Sequence, residues 1–338
     1  MTTLQQRLEA RPPARVLFIQ TAFLGDTVLT SALVRSLVQK WPRAEVDLCV
    51  APRGRDVAQA MPGVSHVHVF DKRGADRGWQ GLRRIAARLR TRQYALAVLP
   101  HRSLRTALLA RLARIPERAG FAGAAAALLY TARVPTQERA FLAREADLAR
   151  ALGAEPAQMA LQPLPEWRGA ARAALGPAQG ERLAAVCLGS EWETKIWPAS
   201  RVAALVRLLV LRGFRPVLLG GPREREMARE VNCGSIDTTG NSIGEALAIL
   251  SMSALAVGGD TGLVHAARAL GVPTVAVFGP TTPLVHSFGP RQRAVSLGLD
   301  CSPCSAHGSR RCPLGHHRCL RDLDEGRVAA ACEEVLTV

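Results

Sequence analysis

Within residues 259–265, Gly259-Asp260-Thr261-Gly262-Leu263-Val264-His265 brings a carboxylate, a hydroxyl and an imidazole together with two glycines. The apolar run before it, at 254–257, reads as a buried strand, and Ala266, Ala267, Ala269 and Leu270 read as the start of a helix. A strand-to-helix turn of small residues presents unpaired N–H groups at the positive end of a helix dipole, a site for an anion and usually for phosphate. Asp260, Thr261 and Gly262 would line that site, with His265 one turn into the helix. The same residues also suit an ordinary helix cap with Asp or Thr as the capping residue. A second strand at 274–278 ends in Gly279-Pro280-Thr281-Thr282-Pro283. Two strand ends delivering polar loops beside one helix describe the rim of a parallel sheet, where α/β ligands bind.

Three further groups have chemistry of their own. Asp26 stands beside Gly25 at the first strand-to-helix turn. A carboxylate there can take a proton from an attacking hydroxyl, or can simply serve the first turn of its helix. Ser190-Glu191-Trp192-Glu193-Thr194-Lys195-Ile196-Trp197-Pro198 places Lys195 between two tryptophans in a loop after a strand. Lys195 offers a diphosphate a compact point charge, unless it is a solvated loop lysine. Ser190 opens the same loop and joins it as a nucleotide-contacting candidate. Glu245 follows Ser242 by three residues, a capping-box spacing, and could also reach ribose hydroxyls. The tail reads Cys301-x2-Cys304-x7-Cys312-x6-Cys319, with His307, His316 and His317 interspersed. Its opening resembles a zinc or iron–sulfur site, although the later spacings match no standard finger and a reduced, packed cysteine cluster is the competing reading.

The elements that must position these residues alternate. Strands are expected at 16–20, 46–50, 66–70 and 96–100, with helices between them and at 106–112 and 139–152. The alternation restarts with strands at 185–188, 216–219, 236–237, 254–257 and 274–278. This is an α/β chain of two doubly wound parallel-sheet halves with a ligand cleft between them. The expected boundaries are an N-terminal domain at 1–160, a proline-rich linker at 161–180, a C-terminal domain at 181–325 holding the cysteine-rich segment 301–319, and a final helix at 326–338.

Composition narrows the function. The 338 residues carry a net charge of +16, nearly all of the positive charge being Arg. High-GC coding can produce some of such a bias without functional meaning; the functional reading is a polyanionic partner, whether nucleic acid, an anionic membrane face or a phosphorylated substrate. Only 4% of residues are aromatic, which argues against stacking on single-stranded nucleic acid, and no nucleic-acid-binding motif is present. No apolar run has the length of a membrane span, and the N-terminus does not resemble a secretory signal, so the cytoplasm is expected. A phosphorylated or carboxylated acceptor near a membrane surface fits best. Arg53, Arg102 and Arg105, at or after strand ends of the first half, are candidates to bind it, against the reading of solvated surface Arg.

Together these pieces resemble the lipopolysaccharide heptosyltransferases, glycosyltransferase family 9. The residues that carry the resemblance are Phe23-Leu24-Gly25-Asp26, the 189–198 segment, the 259–265 segment and Phe278-Gly279-Pro280-Thr281. Ser190-Glu191-Trp192 and Cys312-Pro313-Leu314-Gly315-His316 look most like the heptosyltransferase II branch. The resemblance implies a GT-B fold, with two Rossmann-like domains facing a central cleft and the last helix crossing back to the first half. It implies inverting, metal-independent transfer of L-glycero-D-manno-heptose from ADP-heptose to the inner core of lipopolysaccharide, as the second heptose, by an enzyme peripheral to the inner membrane. Asp26 would be the essential Asp, Lys195 the phosphate contact, and Asp260, Thr261, Gly262 and His265 the nucleotide loop. No catalytic cofactor would be needed. The excess Arg would meet Kdo carboxylates and core phosphates. One departure is that the loop before Lys195 is a residue shorter than in that branch, and another is that Glu191 and Glu193 bring negative charge near a diphosphate. The rivals are a family 9 transferase with another nucleotide sugar or acceptor, and a noncatalytic nucleotide-binding protein that docks a partner through a metal-binding tail.

Overall fold

The computed structural model describes residues 3–337, which fall into two compact units divided between Gln162 and Pro163. In the first, β1 (Arg15–Gln20), β2 (Glu45–Val50), β3 (Val64–Val69), β4 (Leu96–Leu99), β5 (Glu117–Phe121) and β6 (Ala132–Val134) form one sheet in the order β3-β2-β1-β4-β5-β6. Every pairing is parallel. Val16, Leu17, Phe18 and Ile19 of β1 are all fully buried. A strand covered on both faces by helices reads as a continuous apolar run rather than an alternation. The helix Gly78–Thr91 supplies one cover: Leu82, Ile85, Ala86 and Leu89 recur at helical spacing and pack with Leu17, Ile19 and Leu99.

The second unit repeats the plan with β7 (Leu183–Cys187), β8 (Arg215–Leu219), β9 (Ile236–Asp237), β10 (Leu255–Gly259), β11 (Thr274–Val277) and β12 (Gln292–Val295). Their order is β12-β11-β10-β7-β8-β9, again all parallel. Counted from its own first strand, each sheet has the doubly wound order 3-2-1-4-5-6. The strand order reverses between β1 and β4 in one unit and between β7 and β10 in the other. Ligands bind outside the carboxyl ends of the strands at such switch points, and Asp26, Lys195 and Asp260 all follow those strands.

Two expected boundaries need correction. The span 161–180 is no open linker: Pro165–Leu175 is a helix with Pro at its first position, where the missing N–H costs nothing. Its Trp167 lies so close to Gly244 of the helix Ile243–Met252 that a Cβ there would meet the indole at 2.5 Å. The final helix, Glu325–Glu334, packs into the core of the second unit. Val328, Ala329, Cys332 and the following Val335 belong to that unit's core with Leu205, Leu209 and Val275. Arg201 on the helix Ala199–Leu211 pairs with Glu325 at 2.7 Å. Its apolar face is consumed locally. No helix among the described residues is long and apolar enough to cross a membrane.

Candidate functional site

In the second unit the site is organised around Asp260, which lies directly after β10 and is 6% exposed. Its Oδ2 receives Lys195 Nζ at 2.6 Å and Thr281 Oγ1 at 2.8 Å. Its Oδ1 receives His265 Nε2 at 3.2 Å. Burial pushes the Asp260 carboxyl up, but the His265 hydrogen bond and the Lys195 ammonium outweigh it and hold the pKa well below the carboxylate range. Glycine makes the approach possible: a Cβ on Gly259 would stand 2.6 Å from the Lys195 carbonyl oxygen.

His265 is neutral, and its tautomer follows from its neighbours. Arg268 Nη1 lies 3.0 Å from Nδ1. A guanidinium can only donate, so Nδ1 accepts and Nε2 carries the proton given to Asp260. Burial lowers the imidazole pKa, with Asp260 opposing. Arg268 is itself held by Gln292 Oε1 at 2.9 Å, by the Ser287 carbonyl and by the Phe288 ring at 4.5 Å. Both His265 nitrogens are therefore committed. The imidazole, expected from the sequence to contact nucleotide, holds Asp260 through Nε2.

Lys195 spends one donor on Asp260 Oδ2 and one on the Asp260 carbonyl at 3.1 Å, which leaves its third N–H for a ligand. The helix Gly262–Ala269 begins at Thr261, whose side chain makes no capping hydrogen bond. The Thr261 hydroxyl is buried and without a partner among the described residues. The first N–H groups of the helix have no acceptor within it. An ammonium, a hydroxyl and a helix N-terminus thus converge as an anion site. Glu245 forms the capping box, accepting Ser242 N–H at 2.7 Å and Ser242 Oγ at 2.8 Å through Oε2. Ser190 Oγ accepts Trp192 N–H at 3.3 Å and so shapes its own loop.

Among the described residues, the ligand atoms of Asp260, His265 and His286 lie within 4.8 Å of one another. However, Lys195 already sits on Asp260, and Arg268 on His265, so a divalent ion there would face two cations. His286 is pushed down to about 3, by burial first. Cys301, Cys304, Cys312 and Cys319 are free thiols. Cys301, Cys304 and Cys312 all act electrostatically on Cys319, so the four stand near one another, although among the described residues no three of them are drawn together as closely as Asp260, His265 and His286. The tail also clamps the Lys195 loop. Thr194 N–H donates to the Ser309 carbonyl at 3.1 Å, Ser309 N–H donates to Thr194 Oγ1 at 2.9 Å, and His317 Nε2 lies 2.8 Å from the Thr194 carbonyl.

In the first unit, Asp26 occupies the helix Leu24–Leu29, and its Oδ2 accepts Phe23 N–H at 3.1 Å. It serves the helix start, as one of the two sequence readings had it, and still lies at the carboxyl edge of β1. Cations gather at that edge. Lys72, after β3, donates to the Thr21 carbonyl at 2.7 Å. Arg102 lies over the Phe121 ring at 5.3 Å, and Arg144 over it at 5.9 Å. Arg105 Nη1 reaches the Lys72 carbonyl at 3.5 Å. Arg53 is exposed in the 3-10 turn Pro52–Gly54 after β2. His101 follows β4, and burial, then Lys72, lowers its pKa while Asp26 opposes. Its Nδ1 and the Arg144 Nε are buried without partners among the described residues. Sequence reasoning missed Lys72, His101, Arg144, Arg268 and His286. The first two could have been found by reading the residues just past each strand end.

Comparison with known proteins then decides the family. The model for glycosyltransferase family 9 (heptosyltransferase) matches residues 82–314. The chain belongs to glycosyltransferase family 9. Lipopolysaccharide heptosyltransferase 2 of Salmonella typhimurium is 27% identical over 96% of this chain and 99% of the relative. The family 9 glycosyltransferase of Veillonella parvula DSM 2008 superposes with a TM-score of 0.85 at 22% identity, covering 96% of this chain and 97% of that one. The E. coli ADP-heptose LPS heptosyltransferase II gives a TM-score of 0.76 at 22% identity, covering 96% and 98%. These likenesses establish the GT-B fold of a family 9 glycosyltransferase.

Proposed function

We propose that this family 9 enzyme transfers L-glycero-D-manno-heptose from ADP-heptose to the inner core of lipopolysaccharide, adding the second heptose. The observation that carries the reading is the Asp260–Lys195 pair beside the uncapped start of Gly262–Ala269. That arrangement can stabilise charge growing on a departing diphosphate without a divalent ion. The printed names of the Salmonella and E. coli relatives supply the substrate class. In the transfer, Asp26 takes the proton of the acceptor hydroxyl as its oxygen bonds the anomeric carbon and the bond to ADP breaks. A single displacement inverts that carbon. Lys195, Thr261 and the N–H groups that follow hold the diphosphate. Glu245 Oε1 faces ribose hydroxyls, and Ser190 lines the same loop. Lys72, Arg102, Arg105 and Arg144 meet acceptor carboxylates or phosphates, with Arg53 at the same sheet edge. The test is a donor screen across ADP-, UDP- and GDP-sugars with a heptose-deficient core acceptor, read by product mass. Product with ADP-heptose alone is expected. Product only with another donor moves the enzyme elsewhere in the family, and tight ADP binding without turnover makes it a binding protein.

The acceptor is an amphiphile, and unit 1 has a face for its membrane. Trp79, Leu104 and Leu128 are 53%, 57% and 84% exposed. They project from segments after β3, β4 and β5, the sheet edge that carries Asp26. The helix Gly78–Thr91 exposes Arg83, Arg84, Arg88 and Arg90 and contains no acidic residue. Apolar tips among Arg side chains suit an anionic lipid surface. In flotation assays the protein is expected to rise with phosphatidylglycerol vesicles and not with phosphatidylcholine vesicles. Combined Trp79→Ser, Leu104→Ser and Leu128→Ser substitutions should abolish this and spare turnover of a soluble acceptor. Equal binding to both vesicles, or to neither, would refute it.

A further inference from the structure

Behind Asp26 runs a buried polar chain that the transfer reaction does not use. Gln20, Thr30 and Glu145 are at most 2% exposed. Gln20 Oε1 accepts Ala22 N–H at 3.2 Å, which turns its amide NH2 toward Thr30 Oγ1 at 3.0 Å. Thr30 Oγ1 also lies 3.0 Å from the Asp26 carbonyl and 2.7 Å from Glu145 Oε1. Glu145 Oε2 has no hydrogen-bond partner among the described residues.

The protons can be counted. Gln20 donates to Thr30, and the Asp26 carbonyl only accepts. Thr30 has a single hydroxyl proton. If Glu145 were ionised, Thr30 would face two acceptors with one proton, and a carboxylate oxygen would lie buried and unpaired, which is costly. If Glu145 carries a proton on Oε1, it donates to Thr30, Thr30 donates to Asp26, and every contact is matched. Oε2 is then only the carbonyl oxygen of a neutral acid.

We propose that Glu145 is a positioning residue for Asp26: as a neutral acid it donates to Thr30, and Thr30 in turn holds the backbone carbonyl of Asp26, fixing the turn from which the base acts. This rests on the reading of Asp26 as the base. Burial pushes the Glu145 carboxyl up to about 8, with the Thr30 hydrogen bond and Arg144 opposing and the Asp26 charge adding. The helix Phe141–Ala151, which bears Glu145, packs on the helix Ser31–Lys40, on β5 and on β6. Those elements carry Arg35, Lys40, Glu117, Arg118 and Arg133, and the charges that act on Glu145 are Arg144 and Asp26. When Glu145 ionises, Thr30 turns to it, the Asp26 carbonyl loses a bond, and a second negative charge appears behind the base.

The experiment compares kcat/KM against pH for the full-length wild-type, Glu145→Gln and Glu145→Leu proteins, with infrared detection of a protonated carboxyl. Wild type should lose activity on the alkaline side with a midpoint at about 8. Glu145→Gln, a permanent donor, should keep neutral-pH activity and lose that limb. Glu145→Leu should fall about tenfold in kcat, the size of one lost hydrogen bond, with the KM for the donor sugar unchanged. The protonated-carboxyl band should be present at neutral pH in wild type and missing from E145Q. An unaltered alkaline limb in E145Q, or no such band in wild type, overturns the proposal. If Glu145→Leu fails to fold, the E145Q profile and the band still decide it. Full activity in Asp26→Asn would sink the base reading instead, and the infrared result would stand apart from it.

Discussion

Asp26→Asn is expected to lower kcat by about 10²–10⁴-fold, the usual contribution of a general base, while ADP affinity stays unchanged. Asn is nearly isosteric, and its amide oxygen can still accept the Phe23 N–H that Asp26 Oδ2 accepts at 3.1 Å. The start of the helix Leu24–Leu29 is therefore preserved, and only basicity is removed. A base acts on the acceptor proton in the transition state, so the loss belongs in kcat rather than in donor binding. Steady-state kinetics beside calorimetric ADP titration checks this. Parallel loss of ADP affinity would mean that Asp26 supports structure rather than chemistry.

Asp260→Ala should have the other large effect, on stability and turnover together. The side chains of Lys195 and Asp260 are 13% and 7% exposed and 2.6 Å apart. Removing one partner of a buried pair costs about 3–5 kcal/mol, because the other charge is left unpaired. Thr281 and His265 lose their acceptor as well. With Lys195 no longer held toward the anion site, kcat/KM should fall by about 10²–10³-fold. The pH dependence has a definite sign. The folded-state pKa of Asp260 lies below its unfolded value of about 3.9. Its contribution is thus present above about pH 4 and fades as acid approaches the folded value. Urea melts across the acid range should show a steep decline for wild type and a shallower one for Asp260→Ala. Equal slopes would remove Asp260 from the stability account.

The parts of this molecule that were legible in the sequence were those set by continuous local signals. β1, β2, β4, β7, β8, β10 and β11 are apolar runs, and the structure places each within a residue or two of expectation. β5, β6 and β12 were not legible, since Glu117-Arg118-Ala119-Gly120-Phe121, Ala132-Arg133-Val134 and Gln292-Arg293-Ala294-Val295 carry too much polarity to stand out from loop. Their strand character comes from a neighbour's edge. The helix Pro165–Leu175 was misread because its one proline, Pro165, sits at the opening, where it starts a helix rather than ends one. For the candidate site, the placement of Asp260, Lys195 and Asp26 was legible because each follows a strand. The long-range partners were not: Thr281 and His286 reach Asp260 from beyond β11, and Glu145 reaches Thr30 from 115 residues away. No local pattern encodes which distant side chain completes a hydrogen bond.

The clamp on Thr194 has a consequence for biosynthesis. The loop bearing Lys195 is secured by Ser309 and His317, more than a hundred residues downstream. On the ribosome, β7 and its loop emerge long before these anchors exist. A nascent chain that has completed its second sheet still lacks the fastening that sets its lysine, so the loop takes its final form only as the closing stretch is translated.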